Sequence, residues 1–145
     1  MIDLTTILPG DPRVVHRAED TLLICAKWQD VIGDLPTVDA VITDPPYSAR
    51  VDAGYMAGHG GFGTATKEAI GYGSLSEQDA LSLSGWVCGK SGARWFVAFS
   101  DHIGWQWLER GCRERGWYTF APVIWVKRGS APRFAGDGPS TACEH

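Results

Sequence analysis

The sequence contains no C-x-x-C pair. Cys25, Cys88, Cys112 and Cys143 stand far apart, which excludes a zinc ribbon or finger. His16, His59, His102 and His145 are equally scattered, so no metal is expected, and the thiols read as reduced and mostly buried, as in a cytosolic protein. No stretch approaches the roughly 18 apolar residues of a membrane span. Asp3 and Pro9 make the start unlike a signal peptide. Positive charge is also scarce: 13 Lys and Arg face 17 Asp and Glu, for a formal net charge of −4. A protein that wraps nucleic acid over a broad basic surface is thereby excluded, and any such contact has to be local.

What remains is a globular composition, 44% hydrophobic, in a chain of 145 residues. That length forms one domain able to bury about two thirds of its unfolded surface. Of seven tryptophans, Trp95, Trp105, Trp107, Trp117 and Trp125 are read as core before base-stacking platforms. Pro9-Gly10-Asp11-Pro12 marks a turn within a loop-like first 20 residues. Residues 22–26 predict a strand, 28–32 a helical turn before Gly33, and 38–43 a second strand. Ser76 predicts an N-cap for a helix over 77–88, closed by Gly89. Residues 94–99 are continuously apolar, the pattern of a strand buried on both faces. Ser100 or Asp101 caps the next helix, with Trp105, Leu108 and Cys112 on one face and Gly116 at its end. Residues 117–126 predict a further strand, with Pro122 at a bulge or an edge, before a polar tail. Strand and helix alternate, which predicts an α/β fold with a mostly parallel, three-layer sheet.

The second strand ends in 41-VITDPPYSAR-50. Proline cannot donate to a sheet ladder, so the strand stops at Asp44. Pro45 and Pro46 leave the segment poor in donors and rich in carbonyl acceptors, with a carboxylate before them and the ring of Tyr47 after. Such a site suits a planar ligand that carries an amino group; a plain Asp-Pro-Pro turn is the bland alternative. Ligands of parallel sheets bind at the carboxyl ends of strands, where Asp44 and also Ser100-Asp101 fall. Further on, 58-GHGGFG-63 fits G-x-G-x-x-G. It neither follows a strand directly nor opens a helix, so it is not a dinucleotide fingerprint. Within the Gly-rich segment 54–73 it reads as a mobile surface loop.

Taken together, 38-VDAVITDPPY-47, 94-RWFVAFSD-101, 122-PVIWVKRGSAPR-133 and 144-EH-145 resemble the amino-group DNA methyltransferases. The last two pieces look most like phage and bacterial members, whose catalytic motif precedes the cofactor loop. The resemblance runs from about Leu22 onward and implies a Rossmann-like methyltransferase sheet. It further implies methyl transfer from S-adenosylmethionine to adenine N6, or cytosine N4, of a base flipped out of DNA, in a bacterial or phage-infected cytoplasm. Asp44, Pro45, Pro46 and Tyr47 become the catalytic turn, with Asp44 also facing the cofactor and Tyr47 stacking on the base. Asp at the head of the motif favours adenine. Asp101 either lines the cofactor pocket or only caps its helix. Lys127, Arg128 and Arg133 either hold phosphates or are a solvated strand end.

Members of that family carry an F-x-G-x-G loop for the methionine part of the cofactor; the Gly-rich segment does not supply it, since Phe62-Gly63 is followed by Thr64-Ala65-Thr66. Residues 1–145 are expected to be the catalytic half of a methyltransferase, completed by a further segment or a second chain. Methylation of RNA or of a protein amide, and a binding module without catalysis, stand as alternatives.

Overall fold

The computed structural model describes residues 3–49, 73–126 and 143–144. Its architecture is mixed α/β, with small two-stranded sheets and two α-helices among the described residues. At the N-terminus, β1 (Val14–Arg17) and β2 (Leu22–Ile24) pair antiparallel. The loop-like reading of the first 20 residues missed β1. Its alternation is weak, with His16 and Arg17 following Val14 and Val15, so the partner strand rather than the pattern defines it. Arg13 pairs with Asp11, whose carboxylate the guanidinium holds down at about 2, and links the hairpin to the following turns through the Asp30 carbonyl and Asp34. In place of one helical turn over 28–32 ending before Gly33, two 3-10 turns, Trp28–Asp30 and Ile32–Asp34, lead to β3, the second running through Gly33.

The functional half is built on β3 (Ala40–Thr43) and β4 (Trp95–Ala98), paired parallel in the register Ala40↔Trp95 to Thr43↔Ala98. Between them runs α1 (Glu77–Gly89), and α2 (His102–Arg113) follows β4. Ser76 caps α1 as expected, accepting from the Asp79 amide. Ala80, Leu83 and Val87 of α1 and Leu108 of α2 form the core with Leu75 and Ala93, and Val41, Phe96 and Ala98 of the strands pack against it. Both helices thus cover one face of the strand pair. The expectation that residues 94–99 are buried on both faces is corrected: Trp95 and Val97 are exposed, as is Ile42 beside them. Period-two alternation sends these side chains away from the helices. A second helical layer is not found among the described residues.

The helices meet closely at Gly111. A Cβ there would lie 2.7 Å from Ser84 Cβ, and the Ser84 hydroxyl donates to the Ala80 carbonyl and the Leu108 carbonyl across the junction. Beyond α2, closed by Gly116 at φ 77°, residues 117–124 take no strand pairing. Only Trp125–Val126 (β5) does, antiparallel to Cys143–Glu144 (β6). The strand expected over 117–126 is therefore much shorter. Its apolar residues Tyr118, Phe120, Val123 and Ile124 are exposed, with Phe120 stacked on Trp95 at 6.1 Å. The Gly-rich segment lies outside the described residues except for Gly73.

Candidate active site

Proline at positions 45 and 46 ends β3, and the ladder closes with the Phe99 amide donating to the Thr43 carbonyl at 3.0 Å. The chain then leaves the carboxyl end of a parallel strand with Asp44 exposed, Pro45 buried, and Pro46 and Tyr47 half-buried. This contrast follows from the residue types. The apolar pyrrolidine ring turns inward, and the carboxylate keeps its water.

The exit of the turn is tied at two points. The Leu75 amide donates to the Tyr47 carbonyl at 2.9 Å, and Ser48 bridges Leu75 in parallel fashion. The Ser48 amide donates to Asp101 Oδ2 at 2.6 Å. Asp101 Oδ1 meanwhile accepts from the amides of Ile103 at 2.8 Å and Gly104 at 2.9 Å, the capping geometry of a helix N-terminus. Burial works against the charge on Asp101, but the amides of Gly104, Ser48 and Ile103 outweigh it and hold the carboxyl below its usual range. The Ser48 hydroxyl is buried without a hydrogen-bond partner, near enough to the carboxylate to favour its ionised form. Close packing makes this corner possible: a Cβ on Gly104 would come 2.5 Å from Ser100 Oγ.

The sequence-predicted residues are therefore drawn together in part. Asp44 to Tyr47 and Asp101 belong to one corner of the fold, and Asp101 caps α2 as one of its two readings had it. Asp101 is buried, with two amides on Oδ1 and one on Oδ2, so most of its acceptor capacity is spent on the backbone. Lys127, Arg128 and Arg133 lie outside the described residues. Ser48 and Leu75 were not singled out, because a backbone amide contact to a residue 53 positions away leaves no signal in local spacing. A hollow of about 360 Å³ lies elsewhere, bounded by Trp105, Glu109, Arg113 and Trp117, and none of the turn residues lines it. Its Glu109 is engaged by Arg113 and Thr119. The described residues include no cluster of three or more His, Cys, Asp or Glu suited to a metal, and no helix long and apolar enough to cross a membrane.

Comparison of the chain with models of protein families, with curated proteins and with solved structures gave no match.

Proposed function

We propose that the protein is an S-adenosylmethionine-dependent DNA methyltransferase acting on an exocyclic base amino group, adenine N6 ahead of cytosine N4. One observation carries this reading: an exposed Asp44, followed by two prolines, leaves the end of a parallel strand on a turn whose exit is clamped. The exocyclic amine is a weak nucleophile because its lone pair is delocalised into the ring. The Asp44 carboxylate and the Pro45 carbonyl accept its two hydrogens and draw the nitrogen toward tetrahedral geometry. Asp44 favours the positive charge that builds on nitrogen as the new N–C bond forms, and the surplus proton leaves through it to solvent. Tyr47 stacks on the flipped base.

S-adenosylmethionine, when bound, supplies an electrophilic methyl group on a cationic sulfur. Among the described residues, the exposed carboxyl of Asp44 fits that charge. Asp101, buried and largely engaged by backbone amides, fits it less well. A Rossmann-like, three-layer sheet is proposed with this function. The exposed outer face of Ile42, Trp95 and Val97 supports it, since such sheets carry helices on both sides. DNA is the partner, with Lys127, Arg128 and Arg133 as phosphate contacts, and the bacterial or phage-infected cytoplasm is the location. The F-x-G-x-G spacing of the cofactor's glycine loop occurs at Phe134-Ala135-Gly136-Asp137-Gly138, outside the described residues, so no further segment or second chain is required to supply it.

A binding module without catalysis is the second reading, since an Asp-Pro-Pro turn also forms where a strand simply ends. One experiment separates the two. The full natural protein, with any partner chain, is incubated with methyl-labelled S-adenosylmethionine and duplex DNA, RNA or protein. Label in DNA that vanishes in Asp44→Ala supports the proposal. Label only in RNA or protein moves the substrate class, and no label in any substrate leaves the binding module.

A further inference from the structure

The carbonyl of Tyr47 and the amide of Ser48 belong to the same peptide unit, and both ends of that unit are bonded. The carbonyl accepts from Leu75, which is buried in the core, and the amide donates to Asp101, which is 7% exposed. A peptide plane held at both polar ends cannot rotate without breaking a buried hydrogen bond. Its orientation sets the backbone dihedral on the carboxyl side of Tyr47, and so the direction in which that ring leaves the turn. Capping alone would need only Oδ1 of Asp101. Serine at position 76 shows that a shorter side chain caps a helix in this protein. The second carboxylate oxygen, at 2.6 Å from the Ser48 amide, is therefore an addition to the cap.

We propose that Asp101 is a positioning residue for the Asp44–Tyr47 turn: through Oδ2 it fixes the Tyr47–Ser48 peptide plane and thereby the presentation of Tyr47 to a planar, amino-bearing base. The base as occupant rests on the function proposed above; the clamp itself does not.

Two variants separate clamping from capping. Asp101→Ser keeps a capping oxygen for the amides at the start of α2 but is too short to reach Ser48. Asp101→Asn keeps the length, and turning its amide to cap the helix points an NH2 group at the Ser48 amide. In the wild type, a through-hydrogen-bond scalar coupling between the Ser48 amide nitrogen and Asp101 Cγ is expected. In both variants the Ser48 amide should exchange with solvent at least about tenfold faster, while Ile103 and Gly104 keep their protection. Single-turnover methyl transfer should fall about 10- to 100-fold, with DNA affinity within about twofold, as expected for lost orientation rather than lost binding. Absence of the coupling, or unchanged Ser48 exchange in both variants, overturns the clamp. Faster Ser48 exchange with an unchanged transfer rate overturns the positioning role and leaves the methyltransferase reading intact. If the wild type transfers no methyl group to any substrate, the functional reading falls, and the coupling and exchange still decide the clamp.

Discussion

Two carboxylates of opposite character flank the turn. Asp44 is exposed and offered to a ligand, whereas Asp101 is buried and bonded to three backbone amides. The contrast separates their expected mutational effects. Asp44→Ala should leave the unfolding midpoint nearly unchanged, within about 0.5 kcal/mol, because an exposed side chain carries little of the fold. Tyr47 works through its ring face in this account. Tyr47→Ala should therefore weaken transfer by the equivalent of about 1–3 kcal/mol, and Tyr47→Phe should stay close to the wild type. Single-turnover methylation with each variant checks this, and a Tyr47→Phe defect as large as that of Asp44→Ala would make the hydroxyl chemical. A third residue gives a test apart from the active site. Burial pushes the Cys88 thiol up to about 12, with Cys112 beside it adding to the shift. Its alkylation by iodoacetamide should be slow at neutral pH and climb about tenfold per pH unit between roughly pH 7 and 10 without a plateau. A plateau below pH 10 would contradict the shift.

The α1–α2 junction decides whether β4 and the turn keep their backing. Gly111→Ala would set a methyl group against Ser84 where no space exists, so a loss of about 1–3 kcal/mol in denaturant unfolding is expected. A neutral result would mean that the helices slide apart at little cost. Capped helices were the elements most legible in the sequence. Ser76 and Asp101 mark α1 and α2 because a short polar side chain before an apolar-periodic run has few other uses, and Gly116 marks an end. Strands 38–43 and 94–99 were legible as strands, and the two prolines as their stop. Their outer face was not. Apolar residues at Ile42, Trp95 and Val97 imply burial on sequence grounds, and only the placement of both helices on the other side shows them exposed. Residues 117–124 misled in the same way, since β-propensity without a partner strand makes no ladder.

For the molecule as a whole, the α/β character followed from alternation of strand and helix, while the pairing did not. Among the strand pairs of the described residues β3–β4 is parallel, and the hairpin and β5–β6 are antiparallel. Hydrophobic patterning selects faces but does not choose among neighbours. The Asp44–Tyr47 turn was legible as a candidate site; the clamp behind it was not, being a long-range contact to a backbone amide. That clamp also gives the fold a pH dependence. Because the folded Asp101 carboxyl lies below its ordinary 3.8, its contribution is complete above that value and disappears as pH falls through the lowered one. The stability gap between wild type and Asp101→Asn should accordingly be constant above about pH 5 and narrow under acid; a gap that widens as pH falls would contradict the assignment. The central claim is chemical, and the product tests it most directly. DNA from cells expressing the full natural protein, digested to nucleosides and analysed by mass spectrometry, should contain N6-methyladenine, with N4-methylcytosine as the lesser expectation. Cells expressing Asp44→Ala should show the background of cells lacking the protein. Neither methylated base in the wild type, or equal amounts in wild type and Asp44→Ala, would contradict the account.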